Sequence, residues 1–206
     1  MARPTGSRNE GYDERRDELL ATLLETLVRS SQPMSLRGLA AAAGVSVPTL
    51  RHYFGDREAI LAAVFAYCRK DGAEPLQHAA TPQGDVQASI RELLDHATAG
   101  LEYGGLGALH DLGLREGLAN AAVAEHYRRD VLDPTLDAFA ARIDAHMQAG
   151  DLRHGPPRDA AMQLLGPLLL RDLHQRSLGG SAKSPIDRET FLATTAEAFL
   201  RAWVSD

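Results

Sequence analysis

The sequence predicts an all-α protein, with a helix-turn-helix near the N-terminus and a helical domain behind it. Apolar residues recur at three- and four-residue spacing through most of the 206 residues, which is the period of an amphipathic helix. No segment shows the alternation of apolar and polar residues that is typical of a half-buried strand. Between residues 35 and 54, two short helical segments flank a turn that contains glycine, as in a helix-turn-helix.

The first predicted helix begins at Asp13 and ends near Ser30, and Pro33 prevents it from continuing. Acidic residues fill its first turns, where the helix dipole stabilises negative charge. Its apolar stripe consists of Leu19, Leu20, Leu23, Leu24, Leu27 and Val28. Residues 1–11 are predicted to be disordered; alternatively they form an arm whose Arg3 and Arg8 contact phosphates or the minor groove.

The helix-turn-helix itself is predicted to consist of helices over Ser35–Ala42 and Val47–Tyr53. Ser35 and Ser46 can each cap a helix by accepting a hydrogen bond from a first-turn N–H. Pro48 falls in the first turn of the second helix, where its missing N–H costs nothing. Gly44 suits a turn position with positive φ, because a side chain would clash there.

A connecting helix is predicted from Asp56 to about Lys70, followed by a loop to Gly84. The remainder is helical in pattern, with a flexible linker from Gly179 to Pro185. The predicted helices cover residues 86–102, 106–118, 120–148 with a possible bend at Pro134, 156–177, and the chain after Asp187. We therefore expect two domains, an N-terminal arm with the helix-turn-helix over 1–57 and a helical domain over 58–206.

Charge is distributed unevenly between these two domains. Residues 1–57 hold eight Arg and seven acidic residues, whereas residues 58–206 hold 14 basic and 21 acidic residues. From Arg29 to Arg57 there are four Arg and a single acid, Asp56. The basic island therefore coincides with the helix-turn-helix, and it predicts contact with nucleic acid at that end of the chain alone.

Other features argue against several classes of protein. The single cysteine, Cys68, cannot form an internal disulfide and fits a reducing cytoplasm; it is either an inert core thiol or a redox sensor. No apolar run approaches the roughly 20 residues of a membrane span, and the N-terminus lacks the apolar region of a signal peptide. Neither HExxH nor a phosphate-binding glycine loop occurs. We expect a cytoplasmic protein without a membrane partner, catalytic residues, metal or cofactor.

The segment Ser35–Leu61, SLRGLAAAAGVSVPTLRHYFGDREAIL, resembles the TetR family of bacterial transcriptional regulators. The resemblance lies in Leu39-Ala40, Ala43-Gly44-Val45, Thr49-Leu50, Tyr53-Phe54 and the charged pair Arg57-Glu58 before Ile60-Leu61. One departure is Arg51, which stands where the family usually has an aromatic residue. The operator sequence therefore cannot be carried over.

The resemblance implies a regulator, usually a repressor, that binds a palindromic double-stranded DNA operator as a homodimer. A small-molecule effector of unknown identity would release it. Two alternatives remain open: a helical protein-interaction module and a small helical enzyme, in either of which the helix-turn-helix would be only structural. Binding to duplex DNA that falls steeply with salt would distinguish the regulator from both.

The expected DNA contacts lie on and around the second helix, because recognition helices read base edges with residues near their N-terminus. Val47 and Pro48 offer apolar contact to thymine methyls, and Arg37 offers a bidentate guanine contact. The full predicted set is Arg37, Ser46, Val47, Pro48, Thr49, Arg51, His52, Tyr53 and Arg57. Alternatively, Tyr53 belongs to the core, Pro48 only starts a helix, and Arg37 and Arg57 are ordinary solvated charges.

Two further sets are predicted in the helical domain. The ligand cavity is expected to be lined by residues that combine apolar surface with polar tips: Phe65, Tyr103, His110, Leu114, Tyr127 and Met162. The family resemblance implies a four-helix dimer interface from the last two long helices, with candidates Leu165, Leu168, Leu169, Phe199 and Trp203. For both sets the alternative is that the residues fill the core of the monomer.

Overall fold

The protein is all-helical within residues 6–204, which a computed structural model describes, with side chains from residue 11 onward. One isolated antiparallel bridge, between Leu152 and Val204, accompanies the helices. The α-helices are α1 (Gly6–Arg29), α2 (Leu36–Ala42), α3 (Val47–Phe54), α4 (Arg57–Asp71), α5 (Ala73–Ala80), α6 (Val86–Glu102), α7 (Leu106–Gly117), α8 (Ala121–Tyr127), α9 (Asp133–Ala149), α10 (Pro157–Asp172) and α11 (Arg188–Trp203).

The chain divides into two compact units. Unit 1 contains the chain up to Asp71 together with Leu112–Val131, and unit 2 contains Gly72–Asp111 together with the chain from Leu132 onward. The boundary predicted between residues 57 and 58 differs from this division. α4 packs on α1, α3 and α8, so it joins the helix-turn-helix in one unit.

Unit 1 has a core of leucines from α1 and apolar side chains from the next three helices. Leu19, Leu20, Leu23 and Leu27 of the predicted stripe are buried, whereas Leu24 and Val28 are partly exposed. The other buried members include Leu39, Leu50, Ile60, Leu61, Val64 and Phe65. The period of the stripe thus predicted the face that α1 buries.

The helix-turn-helix is built as the sequence predicts. Ser35 accepts a hydrogen bond from the N–H of Gly38, and Ser46 accepts one from that of Thr49. Gly44 has φ 64° in the turn between the helices, a conformation that residues with a side chain rarely adopt. The fully buried Leu39 and Leu50 pack at the centre of the motif.

Unit 2 has a separate core. α9 and α10 pack together most extensively, α5 lies on α9, and α6 lies on α10 and α11. Its largest buried side chains include Leu93, Leu94, Phe139, Ile143, Leu164 and Trp203. Arg142 of α9 is also fully buried.

Three local predictions differ from the structure. α1 extends back to Gly6, where disorder was predicted; Arg3 lies outside the described residues, and so does the side chain of Arg8. The predicted loop after Asp71 contains α5, whose Pro75 sits in the first helical turn, where proline is tolerated. The predicted bend at Pro134 is preceded by a π-helical turn, Arg128–Leu132, because proline cannot donate an intrahelical hydrogen bond.

Candidate nucleic-acid interface

α3 presents a short, well-capped helix at the surface of unit 1. The hydroxyl of Ser46 lies 3.1 Å from the backbone nitrogen of Thr49 and 2.8 Å from its Oγ1. Ser46 and Thr49 therefore hold the first turn of α3 closed. Together the two hydroxyls retain one O–H donor and further acceptor capacity for a partner, since each oxygen has one hydrogen and two lone pairs.

The predicted DNA-contacting residues differ in exposure. Arg37, Pro48, Arg51 and His52 are exposed, as is Ser46, whereas Val47, Thr49, Tyr53 and Arg57 are partly buried. Exposure at the N-terminal turn of a recognition helix is what contact with base edges requires. The structure thus leaves the N-terminal turn of α3 accessible.

Ion pairs reduce the number of available positive charges in the basic island. Arg29 pairs with Glu25 across one helical turn at 2.7 Å, and Arg57 pairs with Glu116 at 2.7 Å. Arg37 and Arg51 make no ion pair with any residue that the structure describes. Among the described residues of the basic island, the guanidinium groups of Arg37 on α2 and Arg51 on α3 are therefore available to an anionic partner.

Arg57 is held by protein groups. Its Nη2 donates to both carboxylate oxygens of Glu116 at 2.7 Å, and its Nε donates to the carbonyl oxygen of Met34 at 2.5 Å. Glu116 is buried, which makes its pairing with a cation necessary. These contacts tie the start of α4 to α7 and to the segment before α2, and the phosphate contact of Arg57 stays a prediction.

We expect Arg57→Ala to lower the free energy of unfolding by roughly 2–4 kcal/mol, because it leaves the buried Glu116 carboxylate without its cation. Urea denaturation followed by far-UV circular dichroism measures the loss. Arg29→Ala is the matched control, and we expect it to cost less than about 1 kcal/mol because its pair is exposed. Equal stability of the two variants would contradict a structural role for the Arg57–Glu116 pair.

An aromatic cluster joins α1 to the recognition helix. The Tyr12 ring stacks on that of Tyr53 with centroids 4.8 Å apart, and His52 meets the Tyr12 ring edge-on at 5.9 Å. Arg16 lies over the ring of Phe54 at 5.3 Å. Tyr53 therefore packs against α1 but stays partly exposed, so its DNA contact stays a prediction. Tyr12 and Arg16 continue the leucine stripe toward the N-terminus at four-residue spacing, and both are partly buried. They were missed because the helix was predicted to begin at Asp13 and its stripe at Leu19.

The six predicted ligand contacts are divided equally between the two units. Phe65, Leu114 and Tyr127 belong to unit 1, and Tyr103, His110 and Met162 belong to unit 2. The rings of Phe65 and Tyr127 are both buried, with centroids 5.8 Å apart. Tyr103 is 83% exposed and Met162 is 57% exposed, so neither is enclosed as a cavity wall would be.

His110 is the buried polar member of that set. Burial lowers the pKa of its imidazole from 6.5 to about 4, although the carboxylates of Asp172 and Asp111 act in the opposite direction. Both carboxylates also accept hydrogen bonds from Arg176. Unit 2 therefore contains a compact polar cluster, formed by His110, Asp111, Asp172 and Arg176, in which the imidazole is neutral at pH 7.

Four of the five predicted dimer contacts lie in the core of unit 2. Leu165, Leu168, Phe199 and Trp203 are buried by their own chain, and only Leu169 is partly exposed. The side chains that the helical period placed on one apolar face thus fill the monomer. An interface on α10 would have to use other residues.

Cys68 is partly buried on α4. Burial, together with the nearby charge of Asp71, raises the pKa of its thiol to about 11, so the reactive thiolate is disfavoured. Within residues 6–204, no helix has the length and apolar character needed to cross a bilayer.

Comparison with known proteins places this site in a family. The family profile described as "Bacterial regulatory proteins, tetR family" matches residues 30–64, which contain α2, α3 and the Arg57 anchor. No curated protein matches the sequence significantly. Several solved structures match nearly the whole chain. Their sequence identities are low, so these matches show a shared fold and no more.

A protein from Mesorhizobium loti, assigned to the TetR family of transcriptional regulators, has a TM-score of 0.79 at 18% identity, over 94% of this chain and 98% of its own. A TetR-family regulator from Marinobacter aquaeolei has a TM-score of 0.62 at 21% identity, and the match covers 96% of this chain and 100% of its own. A third structure is that of a protein from Saccharomonospora viridis, assigned as a transcriptional regulator and solved in complex with choline. It has a TM-score of 0.73 at 15% identity, and the match covers 94% of this chain and 100% of its own.

These similarities agree with the geometry of unit 1, which combines a capped recognition helix with two unpaired arginines. The family match covers the helix-turn-helix, and the fold matches that of solved TetR-family regulators. The helix-turn-helix segment of this chain is therefore similar to that of the TetR family of bacterial regulatory proteins.

Proposed function

We propose that this chain is a TetR-type transcriptional regulator, a repressor that binds a palindromic operator as a homodimer and leaves it when a small-molecule effector binds. In this proposal, residues 1–57 form the DNA-binding domain and residues 58–206 form the ligand-binding and dimerisation domain. The observation that carries the proposal is the accessible N-terminal turn of α3, accompanied by the unpaired guanidinium groups of Arg37 and Arg51.

Base reading is assigned to the first turn of α3 and to α2. Pro48 and Val47 present apolar surface suited to thymine methyls, and Arg37 can donate two hydrogen bonds to one guanine. Thr49 and Ser46 have hydroxyls suited to a base or a phosphate, and His52 suits a phosphate. Arg51 adds a charge where the family resemblance implies an aromatic residue.

Dimerisation is assigned to the exposed face of α10 rather than to the buried leucines. Met162, Gly166 and Leu170 follow one another at four-residue spacing and are all exposed, and Leu170 is 66% exposed. Leu169 borders them, and Ala193 and Ala198 are exposed on α11. An apolar stripe beside small residues allows two helix pairs to approach closely, so it suits the four-helix interface expected for the family.

We expect Leu170→Glu to weaken self-association roughly tenfold or more, because it places a carboxylate in an apolar interface. Sedimentation equilibrium of the full chain measures the effect. Leu118→Glu is the matched control, since Leu118 is 87% exposed on unit 1, and we expect that substitution to leave the dimer intact. A wild-type monomer, or equal association of both variants, would contradict the interface.

The effector is proposed to bind near two buried members of the predicted ligand set, Phe65 and Tyr127 of unit 1. Phe65 lies on α4, and its ring packs against that of Tyr127. The relative solved with choline supports a small organic molecule as the ligand class. In the proposed mechanism, α4 moves when the effector binds, so the two recognition helices no longer match the half-site spacing; this is a coupling between two sites.

The test is a gel-shift titration of the full chain against duplex fragments of the DNA that flanks its own gene. We expect the protein to bind one fragment specifically. The logarithm of the association constant should fall linearly with the logarithm of the salt concentration. A helical interaction module or an enzyme would bind none of the fragments specifically. Failure of every fragment, under conditions where the protein is folded and dimeric, would overturn the proposal.

A further inference from the structure

A cluster of potential metal ligands lies on unit 2, away from every residue assigned above. His78 is on α5, and Glu92 and His96 are on α6, one helical turn apart on the same face. The nearest ligand atoms of the three side chains all lie within 4.8 Å of one another. The imidazole rings of His78 and His96 have centroids 4.6 Å apart.

The cluster is held in place by the buried Arg142. Its Nη1 donates to Oε2 of Glu92 at 2.5 Å, and its Nη2 donates to the backbone oxygen of His78 at 2.6 Å. Oε1 of Glu92 meets Nε2 of His78 at 2.6 Å. One guanidinium thus orients the carboxylate and anchors the chain that carries the imidazole, which is the role of the groups that support metal ligands.

The two carboxylate oxygens of Glu92 have different neighbours. One oxygen accepts a hydrogen bond from Arg142, and the other faces His78. His78 is exposed, so an ion can reach the cluster from solvent.

We propose that His78, Glu92 and His96 form a binding site for a divalent transition-metal ion of the Zn²⁺ class. Two imidazoles and one carboxylate are a donor set that Zn²⁺ accepts, with water in a fourth position. Mg²⁺ and Ca²⁺ prefer all-oxygen coordination, so the site discriminates against them. The ion would replace the hydrogen bond between His78 and Glu92 and would tie α5 to α6. This inference does not depend on the proposed repressor function.

The test is isothermal titration of the tag-free, chelator-treated full chain with Zn²⁺, and separately with Mg²⁺. We expect one Zn²⁺ per chain at this site and no heat from Mg²⁺. His78→Ala and His96→Ala should each weaken Zn²⁺ binding roughly tenfold or more. His154→Ala is the control, because His154 is exposed and outside the cluster, and it should bind as the wild type does.

Two further readouts separate ligand loss from unfolding. Zn²⁺ should raise the melting temperature of the wild type and of His154→Ala but not that of His96→Ala. Circular dichroism should show that His78→Ala, His96→Ala and His154→Ala are all folded. Co²⁺ in place of Zn²⁺ should give visible absorption that His96→Ala loses. If the wild type binds no Zn²⁺, or if both cluster variants bind it as tightly as the control, the cluster is only a hydrogen-bonded ion pair and the proposal fails.

Discussion

Arg142→Ala is expected to lower the free energy of unfolding by roughly 3–5 kcal/mol, the cost of breaking a buried ion pair from one side. Arg142 is fully buried in α9 and donates to the backbone oxygens of Ala79 at 2.8 Å, Ser89 at 3.0 Å and His78 at 2.6 Å, and to Glu92. Alanine would leave these acceptors without a donor and would open a cavity, and both effects destabilise.

The measurement is urea denaturation of the variant and of a matched control, Arg158→Ala. Arg158 is an exposed arginine that pairs with Asp133 and Asp137, and exposed pairs contribute less than about 1 kcal/mol. We expect the control to unfold at nearly the wild-type midpoint and Arg142→Ala to unfold at a much lower denaturant concentration. Coinciding transitions of the two variants would show that the buried guanidinium does not hold α5 and α6 to α9.

Arg51→Ala is expected to weaken operator binding by roughly 2–6 kcal/mol, because a symmetric dimer loses a contact worth about 1–3 kcal/mol in each half-site. Arg51 is exposed on α3 and unpaired among the described residues. A gel-shift titration of the full chain measures the loss. Arg29→Ala is the control within the same basic island, and it should bind nearly as the wild type does, because Arg29 is already paired with Glu25.

The same variant distinguishes two roles for Arg51. If Arg51 contacts a phosphate, the variant should bind every duplex more weakly, and the slope of log affinity against log salt concentration should be smaller by about one per contact. If Arg51 contacts a guanine, the variant should lose its preference at one base pair. Arg37→Ala can be analysed in the same way. Equal affinity of the Arg51, Arg37 and control variants would remove both residues from the proposed interface.

The helix-turn-helix was predictable from sequence because its signals are local. Ser35 and Ser46 cap helices through bonds to residues three positions away, and Gly44 takes the positive φ that its turn requires. The stripe of α1 follows from helical period. The arrangement of these helices then follows from burying the apolar positions that the period identifies.

The roles of Arg57 and Arg142 were not predictable, because both depend on partners distant in sequence. Arg57 pairs with Glu116, and Arg142 donates to atoms of α5 and α6. An arginine within an amphipathic helix is normally predicted to be exposed to solvent. No local sequence pattern identifies the arginines that are buried instead. α5 was missed for a different reason, since Gly72 and Pro75 suggested a loop whereas proline in a first turn is compatible with a helix.

The helical period also could not separate a monomer core from an interface. Leu165 and Leu168 satisfy the pattern of either, and the structure buries both within unit 2. Met162 and Leu170 are apolar and exposed, so they are available to a partner chain. Only packing in three dimensions distinguishes a side chain that its own chain covers from one that is available to a partner.

We propose that two copies of α3 read a two-fold symmetric DNA site. Selection of duplexes from a random library with the 206-residue chain, followed by footprinting of the enriched sequence, tests this proposal. We expect an inverted repeat whose half-sites are separated by about one helical turn or a multiple of it. Two chains should bind it, and the Arg37→Ala, Arg51→Ala double variant should not. Enrichment of no inverted repeat, or an unchanged footprint with the double variant, would contradict it.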